Sequence, residues 1–105
     1  MGMRQNIGMK YSDSRKIYLY SHWKGGEEDE GQLIDDLRRA LRRKQRWNDE
    51  SYLARIIISE VIKDDIEGET GYGIAPYVGE EEFKTIEVDF EKQTVDGMSF
   101  EEFIQ

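Results

Sequence analysis

The chain has 105 residues, of which 37% are hydrophobic and 36% are charged, with a formal net charge of -8 at pH 7. This length fits one domain with a single hydrophobic core and leaves no room for a second domain. The acidic balance disfavours phosphate backbones and anionic lipid as partners, and the absence of cysteine excludes disulfides and a cysteine nucleophile.

The first predicted element is a β-hairpin. Hydrophobic residues alternate with polar ones at Ile7, Met9 and Tyr11, and alternation resumes over about residues 16–23. A period of two is typical of strands that bury one face. Residues 12–15 are Ser-Asp-Ser-Arg, a sequence that favours a turn between the two strands.

Two amphipathic helices follow the hairpin. Apolar residues at helical spacing predict one helix over about residues 32–46 and another over about residues 49–66. With Asn48 as the N-cap of the second helix, Trp47 and Tyr52 occupy the two positions of a hydrophobic staple. We expect the core to include Leu37, Ile57 and Val61.

The C-terminal part predicts further strands and one short helix. Residues 72–78 and 84–91 have strand character, but Pro76 cannot donate to a ladder, so the first strand lies at an edge or is bulged. A short strand at Thr94-Val95 follows, and Ser99 with Glu102 forms a capping box. We therefore predict a single α+β domain over residues 1–105. Its antiparallel sheet has two helices on one face, in the order β-β-α-α-β-β, plus a short C-terminal helix.

The sequence contains no strong catalytic motif. His22 is the only histidine and follows Ser21, but adjacent residues on a regular strand point to opposite faces and cannot pair as nucleophile and base. One histidine without cysteine also excludes a multi-histidine zinc or iron site within the chain. These features favour a protein without catalytic activity, cofactor or metal.

Charged residues form several runs. The carboxylates at 27–30, 64–67 and 80–82 could attract hard cations, but none matches an EF-hand loop, and solvated acidic loops explain them. Six of the nine residues from Arg38 to Arg46 are Lys or Arg. Their place near a helix C-terminus is explained by the helix dipole. Alternative interpretations are a nucleic-acid site and a docking site for an acidic protein; we expect no strong nucleic-acid binding.

One strand face is the best candidate for a site. If Leu19 and Trp23 face the helices, then Tyr18, Tyr20 and His22 line the opposite face. In the later strand, Ile74 and Val78 would face inward and leave Gly73, Ala75 and Tyr77 outward. We predict a ligand-binding surface of Tyr18, Tyr20, His22 and Tyr77, because such side chains combine an apolar body with a hydrogen-bonding tip. The simpler interpretation is that tyrosines suit half-exposed strands.

Three segments together resemble a family of small, uncharacterised proteins encoded by bacterial and archaeal viruses and prophage-bearing genomes. They are Ile17-Tyr-Leu-Tyr-Ser-His-Trp23 with Gly25-Gly26, Trp47-Asn-Asp-Glu-Ser-Tyr-Leu-Ala-Arg-Ile-Ile57, and Gly68-Glu-Thr-Gly-Tyr-Gly-Ile74. The resemblance supplies no activity and no site residue. It implies an accessory protein of a virus or mobile element that acts in the host cytoplasm.

The expected function is that of a non-enzymatic binding module, which binds a host protein or sequesters a small molecule, for example in counter-defence. The alternative is a small enzyme or nucleotide-type ligand-binding protein that uses His22 and the neighbouring tyrosines. A cytoplasmic location is expected because the chain has no cysteine, no apolar run of about 20 residues and no signal-peptide core. No membrane association is expected.

Overall fold

The computed structural model describes residues 5–21, 32–77 and 84–105. Within these ranges the chain forms six strands and three α-helices. They are β1 (Gln5–Lys10), β2 (Lys16–Ser21), α1 (Gln32–Arg42), α2 (Glu50–Ile62), β3 (Tyr72–Ala75), β4 (Lys84–Asp89), β5 (Thr94–Val95), β6 (Met98–Ser99) and α3 (Phe100–Phe103). A short 3-10 turn (Lys63–Asp65) extends α2.

The six strands form one sheet in the order β3-β2-β1-β4-β5-β6. All neighbours are antiparallel except β1 and β4, which run parallel with Ile7 opposite Ile86. The predicted α+β class is confirmed, but the sheet is mixed rather than wholly antiparallel. The reason is that β4 joins the sheet beside β1 only after the chain has passed through both helices, and the direction of that return is not encoded in strand alternation.

The N-terminal hairpin is confirmed. The backbone N–H of Tyr11 donates to the carbonyl of Arg15 at 2.8 Å across the turn, and Ser14 has the left-handed conformation, with φ of 72°. Glu50, at the start of α2, accepts hydrogen bonds from the backbone N–H and the hydroxyl of Ser12 at 2.9 and 3.0 Å. The turn is thereby attached to the helical layer.

One hydrophobic core joins the helices to one side of the sheet. Leu37 and Ile57 are fully buried and Val61 is 1% exposed, as predicted. They belong to the same buried cluster as Ile7 and Leu19 of the central strands. The other buried sheet residues of this cluster are Met9, Ile86, Val88 and Val95. Since the strand positions between them carry polar, glycine and tyrosine residues, both helices cover the same face.

The connection between the helices differs from the prediction. α1 ends at Arg42, four residues before the predicted end at Arg46, and both Lys44 and Arg46 have positive φ angles, 54° and 59°. The indole N–H of Trp47 donates to the carbonyl of Leu41 at 3.1 Å. Trp47 therefore adds a second donor to a carbonyl at the end of α1 that also accepts a hydrogen bond from the backbone N–H of Lys44 at 3.0 Å.

The predicted cap of α2 is wrong. The N-cap is Asp49, whereas Asn48 accepts a hydrogen bond from the side-chain amide of Gln93 at 2.7 Å. Trp47 packs edge-on against Phe100, with ring centroids 5.3 Å apart, and Tyr52 is 52% exposed. Because the N-cap lies one residue later than predicted, Trp47 and Tyr52 do not occupy the staple positions, and Trp47 packs on the C-terminal part of the chain instead.

The C-terminal helix closes the core. The hydroxyl of Ser99 accepts a hydrogen bond from the backbone N–H of Glu102 at 3.2 Å, which confirms the predicted cap. Phe100 is 1% exposed, and Arg38 of α1 donates to the carbonyl of Phe103 at 2.8 Å. Sequence analysis missed β6, although the preceding Asp96-Gly97 pair, both with positive φ, is a strong hairpin signal.

We expect Ile57→Ala to lower the free energy of unfolding by about 2–5 kcal/mol, because it removes methylenes from a fully buried position and leaves a cavity. The matched control is Ile66→Ala. Ile66 is 70% exposed, so its truncation should change stability by less than about 0.5 kcal/mol. Urea titration of both variants measures the difference. Equal losses in the two would contradict this placement of the core.

Candidate functional site

Strand register brings two of the three predicted tyrosines next to small residues. Tyr18 lies opposite Gly8 on one side and Ala75 on the other, and Tyr20 lies opposite Asn6 and Gly73. Directly opposite residues share a face of the sheet, and this face is the one turned away from the helices. We call it the tyrosine face. Its central members are Asn6, Gly8, Tyr18, Tyr20, Gly73, Ala75, Thr85 and Glu87.

The ring of Tyr18 lies directly over Gly8. A Cβ atom placed on Gly8 would be 2.9 Å from Cε1 of Tyr18 and 3.2 Å from a carboxylate oxygen of Glu87. A larger residue at this position would therefore displace the Tyr18 ring from its contact with the strand, an arrangement in which an aromatic side chain covers a strand glycine. The position of Tyr18 is set by this contact.

The described residues leave space beside the backbone partner of Tyr20. None of them lies within 4 Å of a Cβ atom placed on Gly73, the cross-strand neighbour of Tyr20. Tyr18 and Tyr20 are both partly exposed. The edge of the tyrosine face therefore has free space next to an aromatic side chain, while its centre is filled by the Tyr18 ring.

Asn6 is a site residue that sequence analysis missed. It lies between Tyr20 and Thr85 in the register and is only 3% exposed. Among the described residues its amide nitrogen has no hydrogen-bond partner. An unpaired buried donor costs about 1–3 kcal/mol. The available signal was a polar residue at the centre of the first strand, next to Ile7.

Charged residues occupy the end of the tyrosine face nearest the hairpin turn. Lys16 lies 3.7 Å from Glu87, and Lys10 lies 3.9 Å from Asp89. These pairs are partly solvated, so each contributes little to stability. Their effect is to make one end of the face ionic and the other end, around Tyr20 and Gly73, aromatic and open.

Of the other two predicted site residues, only Tyr77 is among the described residues. β3 ends at Ala75, directly before Pro76, so the prediction of an edge strand is confirmed. Tyr77 lies two residues beyond its end and is 67% exposed. His22, together with Trp23 and Val78, lies outside the described residues. The structure therefore places Tyr18 and Tyr20 on one surface and leaves Tyr77 beyond the sheet.

The prediction that Ile74 faces inward needs correction. Ile74 is opposite Leu19, which is 1% exposed, so it is on the helix side as expected. It is nevertheless 59% exposed. Since β3 is the outermost strand, its helix-side residue lies beyond the area that the helices cover.

The basic run has partners within the protein. Arg38 bonds to Asp35 and to the carbonyl of Phe103, and Arg42 bonds to the carbonyl of Ile104. The remaining contacts of the run are Arg39 with Asp36 and Glu60, Arg43 with Glu60, Lys44 with Glu101, and Arg46 with Asp49. This charge is compensated locally, which favours the structural interpretation. The absence of strong nucleic-acid binding remains a prediction.

Glu60 is the centre of this ionic cluster. It is 3% exposed and accepts contacts from Arg39 at 3.3 Å, from Lys63 at 2.6 Å, and from Arg43. The hydrogen bond from Lys63, followed by that from Arg39, holds the pKa of the Glu60 carboxyl below its ordinary value of 4.5, against the opposing effect of burial. Glu60 thus connects α2 to α1 through its ionised form.

No family model, curated protein or solved structure matches the chain. In the described part, no helix is both long and apolar enough to cross a membrane. Nor do the described residues include a group of three or more acidic or histidine side chains placed to hold a metal ion. The arguments about function therefore depend on the tyrosine face itself.

Gly8→Ala should lower stability and displace the Tyr18 ring, because the new methyl group would lie 2.9 Å from a ring carbon. Gly73→Ala is the matched control on the same face. It meets open space, and alanine is better than glycine within a strand by about 0.5–1 kcal/mol, so this variant should be neutral or slightly stabilised. Thermal unfolding measures both. A Gly8→Ala protein as stable as the Gly73→Ala protein would contradict the contact.

The stability contributed by Glu60 should depend on pH. Because its folded pKa is lowered, its contribution is full above the unfolded pKa, near 4.5, and is lost as pH falls through the folded value. Glu60→Gln should cost about 1.5–3 kcal/mol at neutral pH, and the difference should shrink below pH 4.5. The exposed Glu91→Gln is the control in urea titrations across pH. A difference for Glu60→Gln that does not change with pH would contradict the role of ionised Glu60.

Proposed function

We propose that this protein is a non-enzymatic binding module that uses its tyrosine face to bind a host protein. The resemblance to virus-encoded and prophage-encoded proteins supports a role as an accessory protein in a host cytoplasm. The observation on which the proposal depends is that both helices cover one side of the sheet. Tyr18 and Tyr20 thus lie on the other side, beside Gly73 and Ala75.

The composition of the tyrosine face suits protein recognition. Tyrosine provides a large contact area with few rotatable bonds and a polar tip, and it is enriched among the residues that dominate binding energy. Tyr18 is held over Gly8, so little conformational freedom is lost when a partner covers it. The ion pairs of Lys10 and Lys16 provide a polar rim at one end.

The amide of Asn6 supports a second candidate, a small planar ligand of the nucleotide type. The amide nitrogen of Asn6 is buried and has no partner among the described residues, so a ligand carbonyl could accept a hydrogen bond from it once the side chains that cover it move, while the ligand ring contacts Tyr20. The open space at Gly73 provides no wall for a pocket, so we place the protein partner first. Thermal unfolding with single nucleosides and nucleotides tests this candidate, since a bound ligand raises the melting temperature.

Tyr20→Ala should abolish capture of the partner, because it removes the aromatic side chain at the open end of the tyrosine face. Immobilised protein is incubated with cytoplasmic extracts of bacterial and archaeal cells, and the proteins and metabolites retained are identified by mass spectrometry. The matched control is Tyr52→Ala, the same substitution at a tyrosine of α2 that is 52% exposed. Circular dichroism confirms that both variants are folded.

The expected result is a host protein retained by the wild type and by Tyr52→Ala but lost from Tyr20→Ala. Retention by all three proteins would mean that the partner binds elsewhere. Loss from Tyr52→Ala alone would assign binding to the helical layer. Retention of a metabolite instead of a protein, again lost from Tyr20→Ala, would favour the second candidate.

A further inference from the structure

The outer edge of the sheet has features that favour addition of another strand. Among the described strands β3 lies at the edge of the sheet, and its four residues, Tyr72 to Ala75, include no charge. Edge strands are commonly protected by lysine or other charged side chains that block further pairing. Ile74, in the middle of β3, is 59% exposed instead.

The residues that lead into β3 carry uncompensated negative charge. Asp64, Asp65, Glu67 and Glu69 are all exposed. Among the described residues none of the four forms an ion pair, in contrast to the carboxylates that neutralise the basic run. A surface with this charge attracts a basic partner and repels a second copy of the chain, whose net charge is also -8.

An added strand would have two chemically different sides. On the helix side, one residue of the added strand would lie next to Ile74. An apolar side chain there would cover exposed apolar surface. On the tyrosine face its residues would lie beside Gly73 and Ala75. Above Gly73 there is open space, through which a lysine or arginine can reach the ring of Tyr20, its neighbour across the ladder.

We propose that β3 accepts an extended segment of a partner protein in which apolar residues alternate with lysine or arginine. The backbone of the segment pairs with the edge of β3, its apolar residues cover Ile74, and its basic residues lie on the tyrosine face. This is recognition by strand addition, in which main-chain hydrogen bonds provide affinity and alternate side chains provide specificity. The added segment would border the tyrosine face, but its pairing depends on the edge of β3 and stands without the proposed function.

The test uses a fluorescein-labelled peptide of four Lys-Val repeats, with binding measured by fluorescence anisotropy. Ile74→Lys should weaken binding at least about tenfold, because it adds a charge to the edge and removes the apolar contact. The matched control is Ile66→Lys, the same substitution at a side chain that is 70% exposed and precedes β3. It should weaken binding less than about threefold. A peptide with four lysines followed by four valines should bind more weakly than the alternating peptide.

Equal weakening by Ile74→Lys and Ile66→Lys would overturn the proposal, as would equal binding of the two peptides, since either result would mean attraction by charge alone. Sedimentation that shows a dimer dispersed by Ile74→Lys would assign the edge to self-association and would also overturn it. The Tyr20→Ala capture experiment is separate. Suppose that Tyr20→Ala loses capture of the host protein but that the wild type does not bind the peptide. This combination would support the proposed function and reject the strand-addition site.

Discussion

The parallel pairing of β1 with β4 is the constraint on which the rest of the structure depends. Two parallel strands cannot be joined by a tight turn, so the chain must leave the sheet and return between them. Here the return includes both long helices, and they pack on the same side, in one core with Ile7 and Leu19. The opposite side of the sheet is left to Tyr18, Tyr20 and their small neighbours. The tyrosine face is thus a consequence of the topology.

The ionic cluster and the C-terminal helix hold this single helical layer together. Glu60 joins α2 to Arg39 and Arg43 of the segment that ends α1, and Arg38 and Arg42 bond to the carbonyls of α3. The most basic stretch of the sequence therefore has a structural explanation. Among the described residues, the acidic side chains that lead into β3 form no ion pair. This separation indicates where a charged partner would approach.

Much of the fold could be predicted because strand and helix periodicity report which side of an element is buried. The alternation around Leu19 assigned Tyr18 and Tyr20 to the correct face, and helical spacing identified Leu37 and Ile57 as core. Alternation does not report the direction of a neighbouring strand, so the parallel β1–β4 pair was missed. Nor does it report how far the helices extend, which is why Ile74 is exposed on the side that was expected to be buried. The burial of Asn6 depends on its neighbours in β2 and β4, and a polar residue beside Ile7 does not by itself report that burial.

Site-specific photocrosslinking tests the central claim, that the tyrosine face is the recognition surface, most directly. A benzophenone amino acid is introduced in place of Tyr20 in one protein and in place of Tyr52 in another, and both are irradiated in prokaryotic cells. If the tyrosine face binds a host protein, the position of Tyr20 should give one defined covalent adduct and the position of Tyr52 should give none. Adducts formed equally from both positions, or only from the helical position, would contradict the claim.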